Sequence, residues 1–227
     1  MPRFVQKECA RGSQKWLQRA VNRQPGLLDG PILVKLPDAR NITWRSPLAD
    51  DQYAEYRDAE FLEKIGAGQL TAKLAKFWPS HSPQWDGLAI SDAGDILLVE
   101  AKAHVEELCG PTMQAASASR ARIDGALRDA ARFMRAEPCA PWSSVFYQLA
   151  NRLAYLHFLR KHRLKAWLVL ANFVGDEDVR GPSSAAQWEA AYRVVWHVLG
   201  VPRQHKLSRY VIEIYPHVDG VQDNPSG

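Results

Sequence analysis

Two periods of apolar positions run through the chain. Trp16, Leu17, Ala20 and Val21 recur at helical spacing, which predicts a helix over about 13–23 ended by Pro25-Gly26. Ala54, Phe61, Leu62 and Ile65 predict a second helix over about 52–65, stopped by Gly66 and Gly68. Further helices are expected over about 113–135, 143–162 and 182–199. Shorter apolar runs predict strands at 31–36, 41–45, 84–91, 95–103, 165–174 and 209–215. Ile96, Leu97, Leu98 and Val99 are apolar on both faces, the pattern of a strand covered on both sides. The interleaving predicts an α/β fold with a central mixed sheet flanked by helices. One domain is expected over 1–227: a helix-and-hairpin extension at 1–50, a core at 51–175, and a helix, strand and loose tail at 176–227.

Composition narrows the class little. The chain is 46% hydrophobic and 24% charged, an ordinary globular balance that argues against wholesale disorder. No apolar run approaches the roughly 20 residues of a bilayer span. The first residues carry basic groups but no apolar signal core. Cys9, Cys109 and Cys139 lack metal-ligand spacing and read as free thiols of a reducing cytoplasm. The formal net charge of +4 is mild, and its distribution is more telling. Arg11, Lys15, Arg19 and Arg23 recur every fourth residue, forming a cationic ridge behind an apolar stripe. Such a ridge is either a solvated face or a set of phosphate contacts.

Chemistry concentrates between Gln84 and Ala103. Asp92-Ala93-Gly94 suits a three-residue hairpin loop with Gly94 in the left-handed position. If Ser91 faces Asp95, Asp86 falls opposite Glu100, and cross-strand partners share a face at about 5 Å. Lys102, two residues beyond Glu100, shares that face as well. Two carboxylates side by side at the end of a buried strand repel, and a divalent cation relieves the conflict. Hard oxygen ligands suit Mg²⁺, with Mn²⁺ as a substitute. Lys102 is then placed to position or deprotonate an attacking water, or to steady charge developing on phosphorus. The plain alternative is a Glu-Lys pair stabilising a strand end beside an unrelated Asp86.

Asp86 followed across a hairpin by Glu100-Ala101-Lys102 resembles the PD-(D/E)xK nuclease superfamily, the restriction-endonuclease-like fold. The succession of helix, hairpin, helix and strand from Gln52 to Val174 is similar to that family's common core. Trp85 stands where the family usually has Pro, with Pro83 nearby. The resemblance implies that Asp86 and Glu100 bind the metal and Lys102 assists hydrolysis of a nucleic-acid phosphodiester, DNA favoured over RNA. The rival is a member of the same fold that no longer cuts and serves in nucleic-acid binding or protein interaction. The family often draws a further acid from the preceding helix. Helical phase over 52–65 selects Glu55 and Asp58, with Glu55 preferred for reach. A first-turn acid also favours a helix N-terminus, so a purely structural role competes.

Gln148, Asn151, Arg152 and Tyr155 share one face of the helix that follows, opposite Leu149, Leu153 and Leu156. That face suits hydrogen bonding to phosphate or to the catalytic carboxylates. Arg152 is the expected nucleic-acid contact, and Gln148 looks similar to a glutamine found in some nucleases of this fold. His104 extends the Glu100–Lys102 face and suits a structural hydrogen bond. Trp78 and Trp85 flank the site and are candidates for stacking on a base.

Overall fold

The computed structural model describes residues 3–110 and 112–221. In chain order the elements are β1 (Arg3–Phe4), α1 (Gly12–Arg23), α2 (Gly26–Leu33), β2 (Ile42–Ser46), β3 (Glu55–Tyr56), α3 (Asp58–Lys64) and α4 (Thr71–Phe77). Then come β4 (Gly87–Ser91), β5 (Ile96–Lys102), α5 (Ser117–Met134), α6 (Tyr147–Lys161), β6 (Ala166–Asn172), α7 (Ala185–Val198) and β7 (Val211–Ile214). Five strands form one mixed sheet in the order β2-β4-β5-β6-β7. The pairs β2–β4 and β4–β5 are antiparallel, whereas β5–β6 and β6–β7 are parallel. The fold is therefore α/β, with helices on both faces of the sheet. None of its helices is long and apolar enough to cross a membrane, among the described residues.

Strand periodicity divides the core in two. Ala89, Leu97, Val99, Ala101, Val169 and Ala171 point to the face covered by Leu17, Ala20 and Val21 of α1 and by Leu28 and Ile32 of α2. Leu88, Ile96, Leu98, Leu168 and Leu170 point to the other face, against α3 to α7. Every residue of β5 is buried, as a strand covered on both faces requires. Glu100 and Lys102 fall on the second face, under α6.

The structure corrects the expected elements in three places. The expected strand at 31–36 is the end of α2 and the turn after it. Leu28, Ile32 and Leu36 are buried at a spacing of four, a helical period that outweighs the β-like composition of Ile32-Leu-Val34. Second, the expected helix over 52–65 is only α3. Gln52 and Tyr53 adopt positive φ of 54° and 49°, which no helix passes through, and Glu55-Tyr56 pairs with β1 as a strand. Third, the chain beyond Pro216 is docked as far as Val221. Val218 donates its N–H to Val174, and Val218 and Val221 are buried. Residues 222–227 of the expected tail lie outside the described residues.

Candidate active site

The hairpin holds the expected register. Ser91 N–H donates to Asp95 O at 2.9 Å, Gly94 sits at φ +79°, and Gly87 pairs with Val99. Asp86, one residue before β4, is thereby brought to Glu100 and Lys102. One Asp86 oxygen accepts the Ala101 N–H at 2.8 Å, tying the carboxylate across the strand. Asp86, Lys102 and Gln148 line an open cleft of about 430 Å³, together with Arg11, Gln14 and Glu107. The N-terminus of α1 thus forms one rim and the start of α6 another.

Glu100 lies deeper, 3% exposed, and both its oxygens are engaged. Lys102 Nζ donates to one in a very short contact, and Arg152 Nε to the other at 2.5 Å. Arg152 is anchored in turn by Gln84 O at 2.6 Å and by the Trp85 ring, whose centroid lies 4.6 Å from its guanidinium carbon. Glu55 joins the group from β3. Its carboxylate accepts from the side-chain amides of Gln6 (3.0 Å), Gln14 (2.9 Å) and Gln84 (2.6 Å). The amides contribute no net charge, so all three of these hydrogen-bond donors to Glu55 are neutral.

Protonation follows from this distribution of charge. Burial raises Asp86, as does the field of Glu100, and Lys102 offsets them only in part, so its carboxyl is pushed up to about 8. Burial also acts to raise Glu100, but Arg152 and Lys102 outweigh it and hold the group ionised below its ordinary range. For Lys102, burial favours the neutral amine, yet Glu100 and Asp86 prevail and raise it, so it stands as an ammonium. Burial and the Glu100 charge raise Glu55 despite its amide donors. Of the two carboxyls raised in this way, Asp86 is the one that lines the cleft.

Other expected site residues are placed differently. Asp58 faces the loop after α4, accepting the N–H groups of Ser82 (2.9 Å) and His81 (3.3 Å). Arg152, expected among phosphate contacts, is 3% exposed and occupied by Glu100. Trp78 and Trp85 are 3% and 0% exposed, so both are core residues with no face open to a base. His104 pairs with Glu107 at 3.2 Å. On the α1 ridge, Glu8 pairs with Arg19 and with Arg23, each at 2.9 Å, while Asp178 takes Lys15 at 3.6 Å. Arg11 donates to the Asp178 carbonyl at 3.4 Å and is the ridge residue that reaches the cleft.

Sequence reasoning missed Gln6, Gln14 and Gln84 around Glu55, because a neutral amide has no periodic signature. Of the two roles expected of the polar face of α6, Arg152 takes the bond to a carboxylate, that of Glu100, 52 residues away in the chain. Among the described residues, no three His, Cys, Asp or Glu side chains gather closely enough to hold a metal ion. Compared with protein-family profiles, curated proteins and solved structures, the chain matches none of them.

Proposed function

We propose that the cleft is the active site of a metal-dependent nuclease of the PD-(D/E)xK type, acting on nucleic acid and on DNA in preference to RNA. One observation carries the reading. The hairpin register brings Asp86 to Glu100 and Lys102, with Asp86 and Lys102 lining a cleft and Glu100 buried behind them. The donor set fits a hard divalent cation. Mg²⁺ accepts one or two carboxylates and completes its shell with water and substrate phosphate. Asp86 lines the cleft, and Lys102 offsets the burial and the Glu100 field that raise it only in part. Asp86 and Glu100 would hold Mg²⁺ or Mn²⁺, which would polarise a phosphoryl oxygen and lower the pKa of a bound water.

The residues have separable tasks. Lys102, held as an ammonium by Glu100 and Asp86, is suited to stabilise negative charge developing on the phosphoryl group rather than to accept a proton. Arg152 orients Glu100 and fixes it as a carboxylate. Gln148 and Arg11, on opposite rims, offer an amide and a guanidinium to a phosphate entering the cleft.

A second reading rests on one feature, the saturation of Glu100 by Lys102 and Arg152. A site closed in this way suits a member of the fold that binds nucleic acid without cutting it. Calorimetric titration with Mg²⁺ and Mn²⁺ tests the first reading. Wild-type protein should bind one cation, and Asp86→Asn should lose that binding and metal-dependent cleavage together. Full activity in Asp86→Asn would exclude Asp86 as a ligand.

A further inference from the structure

A second cationic region lies at the other end of the sheet. Arg160, at the end of α6, donates to the carbonyl of Ala166, the first residue of β6. Strands β5 and β6 run parallel from the pair Ile96–Ala166 to the pair Lys102–Asn172. The region is therefore roughly 20 Å from the catalytic cleft, the length of a seven-residue strand at about 3.3 Å per residue. Here α5, α6 and the loop leading into β7 enclose a pocket of about 770 Å³, a size typical of small-ligand sites. Its lining includes Arg160, Lys161, Lys206, Arg209, His205 and Tyr210.

The cations are held in an unusual way. The Arg160 guanidinium carbon lies 3.3 Å from the Tyr210 ring centroid, and that of Arg209 lies 4.7 Å from it. Lys206 Nζ lies 4.8 Å from the Phe133 ring centroid. Among the described residues, none of these three is within ion-pair distance of a carboxylate. The acid present, Asp129, already takes Lys161 at 3.0 Å and His157 at 3.3 Å. A ring face orients a cation without neutralising it, and Asp95 acts on Arg160 only from beyond ion-pair distance, so three positive charges line the pocket without an ion-pair partner. His205 adds a donor, since its Nδ1 accepts the Leu207 N–H at 3.2 Å and leaves Nε2 as the N–H of the neutral ring.

We propose that this pocket binds phosphate groups, those of a nucleoside phosphate or of a nucleic-acid strand. Recognition is by charge. Tyr210 carries two guanidinium groups, and Phe133 carries Lys206 and the His157 ring 4.5 Å away, so neither ring is free to stack on a base. The site therefore has no base preference. It stands independently of the nuclease reading, because it uses none of the residues of the cleft.

The test measures binding of inorganic tripolyphosphate and of a short fluorescent single-stranded DNA, with a chelator present so that no divalent cation is available. The double variant Lys206→Ala/Arg209→Ala removes two exposed cations, and circular dichroism checks that its fold is retained. Each phosphate contact on a single strand contributes a slope of about 0.7 in log K against log salt. Losing two should flatten the slope by about 1.4 and weaken DNA binding about 25-fold at 0.1 M salt. Arg209→Lys, which keeps the charge, should retain most of the affinity. Loss with both probes identifies a pocket open to small phosphates, and loss with DNA alone identifies a strand-binding site. Unchanged affinity and slope in the double variant, or a wild-type protein that binds neither probe, would overturn the proposal.

Discussion

The two cationic regions use positive charge in opposite ways. At the cleft, Lys102 and Arg152 converge on Glu100 from either side, so the charge is neutralised inside the protein and serves to fix one carboxylate. At the far pocket, Arg160, Lys206 and Arg209 lie on aromatic rings, so their orientation is set while their charge stays available. Lys15, Arg19 and Arg23 of the α1 ridge belong with the first kind, since Asp178 and Glu8 answer them. Regular spacing of basic residues in the sequence therefore does not locate free positive charge. What locates it is the absence of a nearby acid, which only the fold decides.

The comparison is broken most severely by removing the central carboxylate. Glu100→Ala leaves Lys102 and Arg152 buried without their partner and should cost about 3–5 kcal/mol of stability. Lys206→Ala/Arg209→Ala touches exposed residues and should stay within about 0.5 kcal/mol per site. Urea unfolding of the two proteins compares them directly. Equal stability would mean that Glu100 is not the keystone of a buried network.

Next in size is a pH effect in the metal-free protein. The folded Asp86 carboxyl holds its proton up to about pH 8, whereas the unfolded group releases it near 3.8. Between those values the native state binds more protons than the unfolded state, so stability falls as pH rises and levels off above about 8. Glu55, also raised, adds a contribution of the same sign. Asp86→Asn should flatten this decline and raise the melting temperature at pH 8. A steeper decline in the variant would reverse the assignment. The same proton opposes cation binding, so Mg²⁺ affinity should rise by about tenfold per pH unit below 8 and plateau above it, as titrations at several pH values will show.

The α1 ridge gives the smallest effect. Because its cations are answered by acids of the same chain, Lys15→Gln/Arg19→Gln should change the salt slope of DNA binding by less than the roughly 1.4 units expected of the far pocket. A larger change would shift the phosphate-binding surface to α1.

Legibility in the sequence follows the range of the contact. Asp86, Glu100 and Lys102 were readable because a hairpin register is local, set by Gly94 and by strand alternation. Leu28, Ile32 and Leu36 also held a readable helical period, obscured by the β-like run that begins at Ile32. Glu55 was selected by helical phase, yet it reaches the site as part of a short strand against β1, because the turn at Gln52-Tyr53 ends any helix there. Arg152 was singled out for its polar face, but its partner is a buried carboxylate contributed by β5. The polar face offered phosphate and carboxylate alike, and only the fold decides that Arg152 takes the carboxylate. The three glutamines around Glu55 come from separate segments, and only the closed fold assembles them.

We propose above that the Asp86–Glu100–Lys102 cleft cuts nucleic acid. It is tested most directly by Mg²⁺-dependent cleavage of single-stranded, duplex and branched DNA by wild-type protein and by Lys102→Ala. Cleavage should require the cation and fall by about 10²–10⁴ in the variant, the usual loss on removing a charge-stabilising group. Cleavage of equal rate in the two proteins, or a folded wild-type protein that binds Mg²⁺ and leaves all three substrates intact, would contradict it.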